Sequence, residues 1–450
     1  MKGKFKNQWQ MLLSTERFSL DVSGKSFIFN SSGRQLGRSP FEADIGRVVF
    51  SQPFRRLAGK TQVHPFPDID YVHNRLTHSS EVAYVSRALG RCVASFMLEN
   101  RGDLDGKEQI EEVGWICQAA GMMHDMGNPP FGHAGEDAIR AWAANRHDDL
   151  EKVCEECTIN DLLYFDGNAQ AFRMASRPDM RESCYFRFTA ATLGAMAKYP
   201  WPTNSERGMR ERKSVAFSTE EKMLTQLLRK LGLNDDQRHP LSYVTEAADD
   251  ICYRVCDFED AVLMGLLDET EVKKMLLSGM TSKMQELHGN DSLSKVKALA
   301  IGDLIREFAK VYIDNYDAIM SGNFEGKDLK SKIGGTWGEV LQQIKDRYDV
   351  IFSEHRKVVS EIGAYGQLSC LLDKYLEFLK FVKRHKVGGL LPEYKDLSFL
   401  CQRLVTLAWG GKAYYEINRT QTLDGLLHMI IDFVVGMTDD YLHKVAGEFV

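Results

Sequence analysis

The sequence has no cysteine framework, no long apolar run and no surplus of positive charge. Its nine cysteines are odd in number and scattered, so a disulfide-stapled scaffold is excluded and a reducing cytoplasm is expected. The first residues, Met1 to Trp9, carry lysines where a signal peptide would carry apolar residues. The longest apolar stretch, Gly425 to Met437, is interrupted by His428 and Asp432. It is too short to cross a bilayer and predicts a buried helix, so no membrane partner is expected. A formal charge of −6 argues against a generally basic, nucleic-acid-coating surface. Internal repeats, coiled-coil heptads and low-complexity tracts are also missing.

What is present is a chain of 450 residues with helical periodicity almost throughout. Ser26-Phe-Ile-Phe has some β character, and Ser31-Ser-Gly-Arg marks a loop. A helical pattern runs from Phe41 to Leu57, and Lys60 to Asp70, with Pro65 and Pro67, predicts a loop or short hairpin. Thr77 is placed to cap a long helix in which Val82, Val85, Leu89, Val93 and Phe96 share one face. Thr203 to Ser214 is polar and charged and predicts a mobile loop. Beyond residue 268 the pattern stays helical, with breaks near Gly289, Gly334-Gly335, Gly388-Gly389 and Gly410-Gly411. The chain therefore divides into a polar N-terminal arm (1–40), a core (41–267) and a helical extension packed on it (268–450).

One stretch concentrates chemistry: Gly121-Met-Met-His124-Asp125-Met-Gly-Asn128-Pro-Pro-Phe-Gly-His133-Ala-Gly-Glu136. Val113, Ile116, Ala120 and Met123 precede it at helical spacing, and Gly127 with Pro129-Pro130 stops the helix. His124 and Asp125 thus fall at a helix end, where neighbouring side chains can converge on one metal ion. His133 and Glu136, at i and i+3, share a face if a new helix starts there. Upstream, His78 lies in the first turn of its helix. Downstream, Asp249, Tyr253 and Asp257 recur every four residues, about 400° of helix, and form one narrow stripe. Such a stripe alone reads as a solvated face. Combined with His78, His124 and Asp125, Asp249 completes a mixed nitrogen and oxygen set suited to a divalent transition metal.

The order H…HD…D resembles that of the HD-domain metal-dependent phosphohydrolases. Within them the chain is similar to the deoxyguanosine triphosphate triphosphohydrolases (dGTPases). The resemblance rests on Arg55-Arg-Leu-Ala-Gly-Lys-Thr-Gln62, Arg75-Leu-Thr-His78-Ser, the 121–136 stretch, Gly167-Asn-Ala-Gln-Ala-Phe-Arg173, Lys198-Tyr-Pro-Trp and Glu246-Ala-Ala-Asp-Asp-Ile-Cys-Tyr253. Gly436-Met-Thr-Asp-Asp-Tyr441 extends it to the C-terminus.

That resemblance implies an all-α HD-domain phosphohydrolase core with a C-terminal helical extension. It implies hydrolysis of a deoxynucleoside triphosphate, dGTP first, to the deoxynucleoside and inorganic triphosphate. It implies metal ligands His78, His124, Asp125 and Asp249 for a divalent ion (Mn, Mg, Fe, Co or Ni), and proton handling by His133 and Glu136. Gln62 and Asp257 would bind the deoxyribose 3′-hydroxyl, and Tyr253 would pack on the sugar. Arg75, Asn128, Asn168 and Lys198 would meet the phosphates. A homo-oligomer, a hexamer in this family, and an effector such as single-stranded DNA or a dNTP are implied as partners. Ala58-Gly59 and Asp166 depart from the expected pattern. The residues leave open an HD phosphohydrolase acting on several dNTPs or a guanosine alarmone, and a nucleotide- or single-strand-binding regulator. His147-Asp148 lacks the Gly-Asn-Pro-Pro context and is read as surface. His64 and His73 are read as bystanders, Asp250 as solvated or ion-paired, and Cys154 and Cys157 as ordinary thiols.

Overall fold

A computed structural model describes residues 2–20, 26–29, 37–65, 69–177 and 186–449. The loop expected at Ser31–Arg34, and Pro67, lie outside them. Helices dominate these residues, and the one sheet described is a ribbon of β1 (Arg17–Leu20) paired antiparallel with β2 (Ser26–Phe29). The β character of Ser26-Phe-Ile-Phe is therefore borne out, as is the all-α class. No helix among the described residues is long and apolar enough to cross a membrane.

The helices that build the site are α1 (Lys6–Leu12), α2 (Pro40–Val49), α3 (Arg75–Phe96), α4 (Glu108–Met123), α5 (His133–Asn145) and α6 (Gly167–Ser176). They continue with α7 (Ala190–Met196), α8 (Pro240–Leu263), α9 (Leu293–Asp314), α10 (His355–Arg384), α11 (Leu423–Val435) and α12 (Asp439–Gly447). Two apolar cores hold them. The first joins α1–α4 and α6–α9 and continues to Ile351. The second joins α5 and part of α6 to the C-terminal helices α10–α12. The 121–136 stretch is the covalent crossing between them, since α4 belongs to the first core and α5 to the second.

Local chemistry sets the boundaries. Asn74, not Thr77, caps α3. Its side chain accepts from Leu76 and Thr77 N–H, while Thr77 Oγ1 accepts from Asn74 N–H at 3.1 Å. This reciprocal box starts the helix earlier, at Arg75. The pattern read from Phe41 to Leu57 divides after Val49, because Ser51 accepts from Phe54 N–H and opens a separate helix, Gln52–Arg56. Thr203 to Ser214 is not an open loop: it contains the helix Glu206–Glu211, capped by Ser205, and Thr203 and Ser214 bond to each other in the interior. The N-terminal residues also fold inward. Trp9 and Leu12 are buried, and Trp9 Nε1 donates to Tyr316 Oη at 2.7 Å. The helix over Leu423–Val435 is buried as expected, with His428 facing Asp161 at 3.2 Å.

Candidate active site

Three helices bring the first group together. His78 sits on the first turn of α3, His124 directly follows α4, and Asp249 lies in the middle of α8. His78 Nε2 is 3.1 Å and His124 Nε2 is 3.4 Å from Asp249 Oδ1. The ligand atoms of His78, His124 and Asp249 lie within 4.8 Å of one another. His124 Nδ1 is 2.7 Å from Gly121 O. A carbonyl only accepts, so Nδ1 carries the proton and the Nε2 lone pair is aimed into the group. Asp125 stands at its edge, with Oδ1 3.5 Å from His124 Nε2. Arg75 Nη1 donates to Asp125 Oδ2 at 2.7 Å, and Asn128 Nδ2 donates to Oδ1.

The electrostatics suit a cation. Burial disfavours every charge here, yet Asp125 and Asp249 still raise His124 to about 9. Against the same burial, Arg75 and the two imidazoles hold Asp125 at about 2. Asp249 is lowered well below the usual range, with burial opposed by His124 and His78. Two carboxylates are thus drawing protons onto imidazole, and a divalent ion would supply that positive charge without them.

This group forms the floor of a cleft of about 680 Å³. Gln62, Arg75, Asn128, His133, Glu136, Asn168, Lys198 and Tyr253 line it beside His78, His124, Asp125 and Asp249. His133, at the first position of α5, is 83% exposed, and its Nδ1 lies 2.9 Å from Glu136 Oε2. Glu136 is buried and fixed: Oε1 accepts from Gly167 N–H at 2.7 Å and Oε2 also faces Arg140. Burial opposes its ionisation, but His133, Lys213 and Arg140 hold it at about 2, so it stays a carboxylate. Asp257 does not line the cleft. It is buried, and neither its Oδ2 nor Gln62 Oε1 has a hydrogen-bond partner. Burial, and then the charge of Asp260, push the Asp257 carboxyl well above the usual range.

No family model matches the chain. Curated proteins do. A deoxyguanosinetriphosphate triphosphohydrolase-like protein of Pseudomonas aeruginosa (strain LESB58) is 36% identical over 466 aligned residues, covering 98% of each chain. The chain belongs to the deoxyguanosinetriphosphate triphosphohydrolase-like family. A similarly named protein of Listeria monocytogenes serovar 1/2a is 30% identical over 96% of this chain and 97% of its own. The deoxyguanosinetriphosphate triphosphohydrolase of Yersinia pestis (strain Pestoides F) is 30% identical over 75% of this chain and 77% of its own.

In this triphosphohydrolase-like chain the glycines around the His-Asp pair allow contacts that a side chain would block. A Cβ on Gly127 would stand 2.1 Å from Ala171 N and from Gly167 O, so the loop lies directly on α6. A Cβ on Gly132 would stand 2.2 Å from Arg75 Nη2. Asp166, one of the departures, caps α6 and accepts from Asn168 and Ser214 N–H. Gly59, another, lies where a Cβ would meet Thr438 Cγ2 at 2.6 Å. Asp250 is ion-paired, as read, with Arg254 and Lys330 at 2.5 and 2.8 Å.

The opposite wall of the triphosphohydrolase-like cleft escaped the sequence. It includes Lys330, Phe352, Lys357, Ser360 and Glu361 from the extension, and Lys213 and Arg254 from the core. Tyr253 packs against Tyr348 at 5.4 Å, which stacks on Phe352 at 5.2 Å, so an aromatic row leads from the floor to that wall. Only Arg254 carried a signal, one residue past the matched Tyr253. The others sit in ordinary amphipathic helices or polar connections.

Proposed function

We propose that the protein hydrolyses deoxynucleoside triphosphates, dGTP first, to the deoxynucleoside and inorganic triphosphate, with a divalent metal held by His78, His124, Asp125 and Asp249. The observation that carries this reading is the convergence of His78, His124 and Asp249 at the floor of a cleft walled by His133–Glu136 and several cations. A divalent ion held by these residues would supply Lewis-acid polarisation of a phosphate oxygen and would lower the pKa of bound water.

The remaining chemistry belongs to the side chains. Glu136 engages Nδ1 of His133, which leaves Nε2 to face the cleft and deliver a proton to the departing 5′-oxygen. Glu136 itself cannot drift, because Gly167 N–H and Arg140 hold it. Asn128 and Arg75 keep Asp125 oriented toward the ligand group. Lys198, half-buried beside Glu246 at 3.2 Å, and Asn168 offer donors to the phosphate oxygens. The unpartnered Oε1 of Gln62, on the cleft lining, suits the deoxyribose 3′-hydroxyl, and Tyr253 offers its ring to the sugar. A homo-oligomer, as hexamer, is part of this reading through the family resemblance; a monomer with full activity in light scattering would remove it.

The test is a product analysis across dNTPs and rNTPs with Mn, Mg, Fe, Co and Ni. Intact triphosphate and deoxynucleoside are expected. Release of pyrophosphate or single phosphates, or equal use of ribonucleotides, would overturn the assignment.

A further inference from the structure

The last two helices, α11 and α12, reach the cleft without lining it. Lys60 is buried, and its Nζ donates to Asn128 O at 2.6 Å and to Val435 O at 2.7 Å. The Lys60 carbonyl accepts from Arg75 N–H at 3.0 Å, at the start of α3. Beside it Asp439, at the first position of α12, is also buried. Its Oδ2 accepts from Thr61 N–H at 2.8 Å and its Oδ1 from Phe131 N–H at 2.9 Å. One carboxylate therefore joins two backbone segments that are distant in sequence. Thr61 immediately precedes Gln62, and Phe131 stands two residues before His133. Phe131 and Gly132 have φ of 62° and 57°. That conformation is costly for a phenylalanine and persists only where the surroundings impose it.

We propose that Asp439 is a positioning residue of the reaction: through Thr61 and Phe131 its carboxylate sets where Gln62 and His133 stand over the cleft. The inference rests on the triphosphohydrolase reading above. Asp439 does not itself line the cleft, so its effect on turnover runs through the groups it holds. Lys60 completes the node by fixing the Asn128 carbonyl from the same side, and burial brings its ammonium down to about 7 even with Asp439 nearby. A misplacement on the scale of 1 Å costs on the order of 10²-fold in rate.

A double-mutant cycle with His133 separates positioning from general support of the fold. Asp439→Ala is expected to lower kcat for dGTP by about 10–100-fold, with metal content retained. In the His133→Ala background the same change is expected to cost clearly less, the remainder being the share that runs through Thr61 to Gln62. Asp439→Asn keeps one acceptor oxygen and is expected to lose less; it runs the same cycle if the alanine variant does not fold. Wild-type kcat in the Asp439 variants, or a loss of the same size with and without His133, would overturn the inference. A wild-type protein that releases triphosphate from no dNTP would instead overturn the functional reading, and this inference with it.

Discussion

Two histidine–carboxylate clusters lie along the same pair of helices, α3 and α8, and they use their valences differently. At one end are His78 and Asp249, joined by His124. At the other, His73, Glu81 and Cys256 also offer ligand atoms within 4.8 Å of one another, with Asp260 beside them. In the second cluster the imidazole is fully engaged. His73 Nδ1 is 2.7 Å from Asp260 Oδ1, its backbone N–H donates to Asp260 Oδ2, and its Nε2 is 3.3 Å from Glu81. Burial opposes its charge, but those two carboxylates raise His73 to about 10. In the first cluster His124 engages Gly121 through Nδ1, and its Nε2, 3.4 Å from Asp249, lies with that carboxylate at the floor of an open cleft. Proximity is common to both. What distinguishes the candidate site is that its ligand atoms border space that a substrate can enter.

The comparison breaks most sharply at Asp249. Asp249→Ala is expected to abolish metal binding and lower turnover by at least about 10³-fold, several kcal/mol of barrier. Full metal occupancy in that variant, by elemental analysis, would remove Asp249 from the ligand set. His133→Ala is expected to keep the metal and lose about 10²–10⁴-fold in kcat, and Glu136→Ala less, since the imidazole remains. Loss of metal on removing His133 would contradict its separation from the ligand group.

At the other cluster the expected damage is to folding. His73→Gln breaks a buried pair and is expected to cost roughly 3–5 kcal/mol in denaturant unfolding, with metal content unchanged. Because the His73 pKa rises on folding from the ordinary value of about 6.5, its contribution is complete below that pH. It is lost as pH rises toward about 10. Wild-type stability should fall over that window, and the variant's profile should be flatter there; parallel profiles would sink the assignment. The smallest effect is expected at a third group, His147, Asp148 and Glu151, which meets the same distance condition on the surface. His147→Ala should leave metal and activity unchanged and shift stability by less than about 0.5 kcal/mol.

The sequence was most legible where local order creates the geometry. The end of α4 at Met123, the start of α5 at His133 and the cap of α6 by Asp166 all follow from glycine, proline and aspartate at fixed offsets. The Asp249–Asp257 stripe was less so. Read alone it is a solvated face, but Asp257 is 1% exposed, because α8 is enclosed on both sides. His73 read as a loop bystander for a related reason: its partners, Glu81 and Asp260, are 8 and 187 residues away. The far wall and the Lys60–Asp439 node were invisible because tertiary packing alone brings them in. Asp439 is 378 residues from Thr61, and no spacing rule reaches that far.

The two walls of the cleft differ in how freely evolution can redraft them. Around Gly127 and Gly132 backbone and guanidinium atoms would stand about 2 Å from any added carbon, so drift there is arrested by steric collision before selection on chemistry begins. Phe352, Ser360 and Glu361 face the same void from a helical region whose backbone would tolerate many side chains. Laboratory libraries that seek altered substrate contacts should randomise that far wall and leave Gly127 and Gly132 as inherited.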